Sequence, residues 1–172
     1  WGHYDLFTLS GSAGRLGGGK KDLAMLFVYI SADKYLCEEG KLGFVIAQSI
    51  FKTQGAGDGF RQLKFSDPAG QVHLRPLHVH DLSNLQVFEG ANNSSAIFVC
   101  AKDREPFAYP VPYSIWGGPN RVGQAEELPD VLDKTTRLTL AAVPVKAGKS
   151  NAPWLTADQD AMPGIAKALG QS

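Results

Sequence analysis

The chain has 172 residues, which is enough for one sizeable hydrophobic core. Hydrophobic residues make up 44% and charged residues 20%, as in ordinary globular proteins, and the formal net charge is zero. No overall field therefore attracts the chain to nucleic acid or to an anionic membrane, and any polyanion site must be a local patch. Since no apolar run is long enough to cross a bilayer, we expect no membrane partner and a cytoplasmic location.

Glycine, serine and lysine dominate the first 21 residues, which we interpret as a loop. Within it, "GSAGRLGGGKKDL" contains the G-x-x-x-x-G-K spacing of a phosphate-binding loop, ending at Lys20. The pattern is incomplete, because Lys21 stands where Ser or Thr would hold magnesium, and the segment before it is a weak, polar strand. A dinucleotide-binding turn is also unsupported, since the next strand ends without an acid for the ribose hydroxyls.

A long helix is predicted from Asp22, which suits the N-cap or first turn, and Gly40 suits the position after the helix. The positions that we expect to face the core follow helical spacing: Leu23, Leu26, Phe27, Ile30 and Cys37. Neither Cys37 nor Cys100 belongs to a C-x-x-C pair, and both lie in apolar segments. We therefore expect two buried, reduced thiols.

The run "KLGFVIAQS" is typical of a fully buried parallel strand. A helix, a glycine and a buried strand in this order make half of a β-α-β unit, which indicates an α/β fold. Gln48 and Ser49 follow the strand at its carboxyl end, where open α/β sheets place their ligands.

Two further strands are predicted after the glycine-rich loop "KTQGAGDGF" and a short helix in "GFRQLKF". They are "VHLRPLHVHDL" and "SSAIFVCAKD", and their short connection predicts antiparallel neighbours. His78 and His80 would share one face of the first strand. A metal site needs three or four ligands, and His73 and Asp81 would need a different geometry, so we expect no metal there.

The sequence changes character at Arg104. Prolines alternate with apolar residues in "EPFAYPVPYSIWGGPN", which suits an edge strand or an extended crossover. One strand is predicted over Leu138 to Val145, and one short helix in "DQDAMPGIAKAL". We therefore divide the chain into an α/β part, 1–103, and an extended, proline-rich linker segment, 104–172.

Taken in chain order, several segments resemble one family. They are "DLAMLF", "YLCEEGKLGFVIAQSIFK", "GFRQLKF" and "VFEGANNSSAIFVCAK", and the resemblance covers Asp22 to Lys102. It is to the C-terminal half of the catalytic domain of DNA adenine-N6 methyltransferases, of the type fused to restriction enzymes or used in phage defence. The segment "SNAPWLTADQDAMPGIAKALGQS" is similar to the linker that leads to the target-recognition region of that family.

The resemblance implies methyl transfer from S-adenosylmethionine to an adenine that has left the stack of duplex DNA. It also implies a partial Rossmann-like sheet made of a buried helix, a parallel strand and an antiparallel terminal pair. The family's catalytic tetrapeptide, cofactor glycine turn and ribose-binding acid would precede this sequence. "YPVPY" is no substitute, because it lacks the leading Asn, Asp or Ser.

We therefore expect a fragment that is inactive alone, contains no catalytic residue and binds no cofactor by itself. Its expected partners are duplex DNA in the intact parent and the missing N-terminal half. A second copy paired through the open sheet edge is the alternative to that half.

Site residues follow from the same resemblance. The glycine-rich loop would close over the flipped base, and we expect the following side chains to contact DNA phosphates: Arg15, Lys20, Lys21 and Lys52. Phe88 matches an aromatic of the target-base pocket, and Phe27 matches an aromatic beside the cofactor's adenine. Each assignment has an alternative. The glycine-rich loop would be a solvated loop without a role in binding, Phe88 would be a hairpin residue that fills the core, and Phe27 would be a buried helix residue.

Two other function classes remain open. A small non-catalytic α/β module would hold DNA or a protein with the lysine-rich loop, and it would be monomeric and unfold cooperatively. A half-domain would instead self-associate or need its missing half. A nucleotide hydrolase would require ATP binding that Lys20→Ala abolishes.

Overall fold

The computed structural model of the chain describes most of its residues. The described ranges are 2–6, 23–54, 57–85, 87–88, 94–118, 127–146 and 148–170. No helix in these ranges is long and apolar enough to span a membrane.

Helices and strands alternate in the first part of the chain, and strands predominate later. The helices are α1 (Leu23–Tyr35), α2 (Ser49–Lys52), α3 (Leu128–Lys134) and α4 (Met162–Ala168), with single 3₁₀ turns at Gly2–Tyr4, Phe60–Gln62 and Gln159–Ala161. The strands are β1 (Lys41–Ala47), β2 (Lys64–Asp67), β3 (Gly70–Asp81), β4 (Ser95–Asp103), β5 (Val111–Gly117), β6 (Thr136–Pro144) and β7 (Trp154–Ala157).

All the strands form one mixed sheet of seven strands in the order β1-β4-β3-β5-β6-β7, with β2 paired to β3. β3 and β5 are parallel, and every other pair is antiparallel. Because β4 lies antiparallel between β1 and β3, those two strands run in the same direction. β1, β3 and β5 therefore end on one side of the sheet, beside Gln48, Asp81 and Gly117, which we call the carboxyl edge; the opposite side is the amino edge.

The strand predicted over "KLGFVIA" is present, but its burial and its pairing differ from the expectation. It was expected to be fully buried, whereas Ile46 is its one buried residue and Val45 is exposed, because β1 is the first strand in the sheet order. β1 was expected to be a parallel strand, and its pairing among the described residues is antiparallel, with Phe44 opposite Phe98 of β4. The physical reason is that β4 comes from much later in the chain and enters between β1 and β3. The predicted antiparallel pair, β3 with β4, is confirmed.

Residues 104–172 contribute β5, β6 and β7 to the same sheet, so this segment is not the extended linker that we expected. β5 also lies between two strands, β3 and β6, and the edge-strand interpretation is wrong. The prolines permit this position because pairing with β3 starts at Tyr113, after Pro110 and Pro112. The predicted strand near Leu138 and the C-terminal helix are both present.

Helix α1 buries a different face from the one predicted. Leu23 and Phe27 are 53% and 51% exposed. The buried residues are Met25, Val28, Tyr29 and Ala32. These also follow i, i+3, i+4, i+7 spacing, so the helix has two apolar faces and the periodicity does not choose between them.

One hydrophobic core joins the two parts of the chain. Phe51 of α2 packs against Phe98 of β4 and against Trp154 of β7, with ring centroids 5.7 and 5.1 Å apart. Cys100 is buried in this core, as predicted. Cys37 is exposed, contrary to the prediction, because α1 ends at Tyr35 and Cys37 lies in the following turn.

A buried arginine fixes the loop after α2. The Arg61 guanidinium donates hydrogen bonds to the carbonyl oxygens of Ile50, Thr53 and Asn151 and to the Asp58 carboxylate. Since Arg61 has no exposed surface, these bonds replace its hydration. The guanidinium therefore ties the loop after α2 to the segment between β6 and β7.

Two glycines in "GAGDGF" allow this close approach. A Cβ atom at Gly57 would overlap the Ile50 carbonyl oxygen and the Arg61 guanidinium, and one at Gly59 would overlap the Leu6 carbonyl. Gly57 is thus required by packing around the buried arginine, and Gly59 by close packing against the Leu6 backbone.

Candidate functional site

Polar side chains from four elements meet near the carboxyl edge. Gln48 follows β1, Asp81 ends β3, and Tyr113 lies in the neighbouring strand β5. Lys52 ends α2, the short helix that begins directly after Gln48. The carboxyl ends of β1 and β3 lie on the same side of the sheet, and ionisable and amide side chains are therefore concentrated there. Open α/β folds place their ligand sites at the corresponding position.

The Asp81 carboxylate is the centre of this cluster, and only 2% of the residue is exposed. Its Oδ2 accepts hydrogen bonds from the Tyr113 hydroxyl at 2.5 Å and from Nε2 of Gln48 at 2.9 Å. Its Oδ1 accepts the backbone N–H of Ser83 at 2.9 Å. Three donors thus compensate a carboxylate that is almost removed from water.

Burial acts to raise the pKa of Asp81, but the hydrogen bonds from Ser83, Tyr113 and Gln48 outweigh it and hold the pKa below its ordinary value. Burial, together with the hydrogen bond to Asp81, raises the pKa of Tyr113 far above that of a free tyrosine. At neutral pH the pair is therefore an ionised carboxylate and a neutral phenol, with the proton on Tyr113.

Lys52 is turned into this cluster. Its Nζ donates to Oγ1 of Thr156 at 2.7 Å and lies 4.6 Å from the ring centre of Tyr113. Burial lowers its pKa, and the nearby negative charge of Asp81 partly opposes that shift. The ammonium group already has contacts within the protein, and its role in DNA binding stays a prediction.

The two predicted aromatic contacts have accessible rings. Phe88, in the segment between β3 and β4, is 47% exposed. The alternative that Phe88 fills the core is therefore wrong. The alternative that Phe27 is a buried helix residue is wrong too, because that side chain is 51% exposed.

The direction of α1 follows from a contact at its C-terminal end. The Lys102 ammonium group, at the amino edge, donates hydrogen bonds to the carbonyl oxygens of Asp33 and Leu36. The start of α1, which carries Phe27, consequently lies toward the carboxyl edge.

Three of the predicted DNA contacts, Arg15, Lys20 and Lys21, lie outside the described residues. Of the six predicted site residues, the structure therefore places three. Phe27 and Lys52 belong to helices that begin toward the carboxyl edge, and Phe88 lies in the segment that follows the end of β3 there.

A second polar cluster lies on the sheet face opposite Asp81. Nε2 of His78 and the Ser114 hydroxyl are 2.7 Å apart, and the His78 ring stacks on His80 at 4.1 Å. Nε1 of Trp116 donates to Nδ1 of His80 at 3.3 Å, and the Arg137 guanidinium lies 5.0 Å above the Trp116 ring. Burial lowers the pKa of both histidines, which are therefore neutral at pH 7.

This second cluster lacks the features of a catalytic or metal site. Within the described ranges, no group of three His, Cys, Asp or Glu side chains is arranged to hold a metal ion. Ser114 is 6% exposed, so its hydroxyl is poorly placed to attack a substrate even though His78 is within hydrogen-bonding distance. The cluster is best explained as satisfied polar packing on a half-covered sheet face.

Sequence reasoning considered Asp81 only as a metal ligand and did not place it at the centre of a cluster, because β3 is irregular; it missed Tyr113, which lies in a segment that we interpreted as extended. A β-bulge between Pro76 and His78 changes which residues face the core. Before it, alternate residues such as Val72 and Leu74 are buried; after it, the buried positions become Val79 and Asp81. An uninterrupted alternation would have directed His78 to the core and Asp81 to the opposite face.

Comparison of the sequence with models of known protein families finds no match, and comparison with curated proteins finds none either.

Proposed function

We propose that this chain forms the C-terminal part of the catalytic domain of a DNA adenine-N6 methyltransferase of a restriction-modification or phage-defence system. The observation that carries the proposal is the order of α1, β1, the 3₁₀ turn at Phe60–Gln62, β3 and β4. It is the order that the sequence resemblance implies, with a helix, an apolar strand, a short helix and an antiparallel pair.

The positions of the aromatic side chains support the proposal. An extruded adenine needs an aromatic surface on which to stack, and Phe88 offers an exposed ring in the segment that follows the carboxyl end of β3. Asp81 ends that strand, and its bonds to Tyr113, Gln48 and Ser83 hold the strand end in place. Phe88 therefore follows a firmly anchored position.

The unpaired outer edge of β1 supports the proposal that another strand of the intact domain lies beside it. β1 is the first strand in the sheet order, and within the described ranges its outer edge has no strand beside it. Unpaired N–H and C=O groups along such an edge accept another strand. We assign this edge to the preceding half of the domain, with a second copy of the chain as the alternative when that half is absent.

S-adenosylmethionine supplies an electrophilic methyl group when it is bound, and the adenine amino nitrogen receives that methyl. Among the described residues, the ring of Phe27 is the group that we assign to the cofactor, and its exposure leaves it accessible for that contact. The glycine turn and the ribose-binding acid are not in this sequence. Phe27 alone does not form a methyl-donor site, and we derive no step through the cofactor.

The first experiment is to sequence the coding region immediately upstream of Trp1 and to measure the intact mass of the source polypeptide. We expect an in-frame Asn-Pro-Pro-Tyr-like tetrapeptide upstream. The full gene product, incubated with S-adenosylmethionine and unmethylated duplex DNA, should then form N6-methyladenine, measured by mass spectrometry of the digested DNA. Residues 1–172 alone should form none, and a gene product without the tetrapeptide and without methylation would overturn the proposal.

A non-catalytic α/β module that binds DNA or protein is the second candidate. The packing of Phe51 on Trp154 favours it, because one core then spans α2 and β7 and suits a unit that folds by itself. Gel filtration and urea unfolding of residues 1–172 separate the two. A monomer with one cooperative transition supports the module, whereas self-association through β1 supports the methyltransferase part.

A further inference from the structure

A small cavity lies at the amino edge, on the side of the sheet away from Asp81. It has a volume of about 210 Å³ and lies between the segment that joins β6 to β7 and the loop that follows α2. Its lining residues are Gln54, Asp58, Val145, Lys146, Lys149, Asn151, Ala152 and Pro153. The volume is below the usual range of pockets that enclose a whole ligand, and it suits one small group.

The walls of the cavity are fixed by hydrogen bonds within the protein. The β6–β7 segment is closed by the Val145 N–H, which donates to the Pro153 carbonyl at 2.8 Å, and by the Ala152 N–H, which donates to the Lys149 carbonyl at 2.9 Å. The Arg61 guanidinium joins this wall to the other, because its Nε donates to the Asn151 carbonyl at 3.0 Å. The cavity is therefore largely preformed, and a ligand would not have to order it.

The charge of the lining is positive. Asp58 is the acid among the lining residues, and its carboxylate is paired with the buried Arg61. Lys146 and Lys149 are exposed, and neither has a salt bridge to a residue that the structure describes. The lining therefore holds two ammonium groups and one carboxylate, and that carboxylate is already paired with Arg61.

The remaining polar groups of the lining add amide donors. Gln54, in the loop after α2, and Asn151, in the β6–β7 segment, are among the lining residues, and each side-chain amide carries an NH₂ group. Gly148, between the two lysines, has a φ of +67°, a conformation that glycine adopts without strain and that turns the chain there. Ammonium and amide donors around a small, preformed cavity are the groups that bind phosphate oxygens.

We propose that this cavity binds a phosphate group through Lys146 and Lys149, with Gln54 and Asn151 as neutral donors. The phosphate belongs either to a free phosphorylated small molecule or to a nucleic-acid backbone, whose oxygens offer the same chemistry. The site is independent of methyl transfer, because it lies at the opposite edge of the sheet from Phe88 and Asp81.

The test is a titration of ¹⁵N-labelled chain with inorganic phosphate at constant ionic strength, followed by amide NMR shifts, with chloride as the reference anion. We expect saturable shifts at Gln54, Lys146 and Asn151. The double variant Lys146→Gln/Lys149→Gln should weaken phosphate binding by at least about tenfold, since two charge-assisted contacts are lost. The charge-matched control Lys64→Gln/Lys167→Gln replaces two exposed lysines elsewhere and should bind as the parent does.

The proposal is overturned if phosphate causes no saturable shifts, or if both double variants weaken binding equally, which would indicate general attraction to lysines. The amide spectrum of each variant shows whether it is folded. A second titration with a short duplex, in the presence of phosphate, identifies the source. Displacement of phosphate by the duplex assigns the site to a nucleic-acid backbone, and retention of phosphate assigns it to a small phosphorylated molecule. Methylation by the full gene product is measured separately, so the two proposals can fail independently.

Discussion

The hydroxyl of Tyr113 lies 2.5 Å from Oδ2 of Asp81, and this hydrogen bond joins two adjacent parallel strands at a buried position. The same oxygen accepts a hydrogen bond from Nε2 of Gln48. Gln48 follows β1, which is separated from β3 in the sheet by β4. One carboxylate thereby connects the ends of three elements that are distant in sequence.

Asp81→Asn should lower the free energy of unfolding by about 1–3 kcal/mol, because the amide cannot accept three hydrogen bonds as an ionised carboxylate does. Urea unfolding at neutral pH measures the change. Asp133→Asn, at an exposed position of α3, is the control and should stay within about 0.5 kcal/mol of the parent. Equal stability of the two variants would show that the Asp81 contacts contribute nothing.

The histidine pair should make the protein less stable as the pH falls below about 6.5. Burial lowers the pKa of His78 and His80 in the folded state, so the unfolded chain binds protons first as the pH decreases. Stability is then complete above the unfolded pKa and is lost as the pH falls toward the folded pKa. Urea unfolding at several pH values measures the slope, and His78→Gln/His80→Gln should flatten it. An unchanged slope in that variant would contradict the assignment.

Arg61→Lys should destabilise the protein by about 3–5 kcal/mol, because lysine cannot satisfy the Asp58 carboxylate and the three carbonyl groups at once. Arg75→Lys is the matched control. Arg75 makes a partly exposed salt bridge with Asp103, and its replacement should cost less than about 1 kcal/mol. Thermal or urea unfolding distinguishes the two, and similar values would mean that burial of Arg61 has no energetic effect.

Gly57→Ala should be at least as damaging as a typical core substitution, about 2 kcal/mol or more, because the added methyl group would overlap the Ile50 carbonyl and the Arg61 guanidinium. Gly43→Ala adds the same methyl group in β1, where no atom lies within 4 Å of it. That control should leave stability nearly unchanged. If both variants unfold at the same urea concentration, the close approach at Gly57 is not required.

Phe88→Ala should reduce N6-methyladenine formation by the full gene product by about tenfold or more, since base stacking on an aromatic contributes about 1–3 kcal/mol. Its stability should change little, because the ring is half exposed. Leu128→Ala removes another exposed apolar side chain and should leave methylation unchanged. Normal activity of the Phe88 variant would remove this residue from the base pocket.

Local patterns predicted individual elements well, because the information lies within a few residues. The helix from Leu23, the strand containing Phe44, and the β3–β4 pair all follow from apolar runs and a short connection. The buried face of α1 was not predictable from spacing alone. Met25, Val28 and Tyr29 have the same i, i+3, i+4 spacing as the predicted set Leu23, Leu26 and Phe27.

Pairings between distant segments were the main source of error. Neither the insertion of β4 beside β1 nor the placement of β5 between two strands has a local signal, because tertiary packing selects them. At the carboxyl edge, Gln48 was recognised from its place after the apolar run of β1. The bulge in β3 hid Asp81, and Tyr113 was assigned to a segment that we interpreted as extended.

The place of β4 between β1 and β3 determines the order in which the sheet is completed during synthesis. β1 leaves the ribosome early, and its partner residues, which begin at Ser95, follow several dozen residues later. At about 5–20 residues per second, β1 waits for several seconds with both edges unpaired. Until β4 enters, the nascent chain exposes both sets of backbone N–H and C=O groups of β1 and the side chain of Ile46, which is buried in the folded chain. This interval is when chaperone binding is most useful to it.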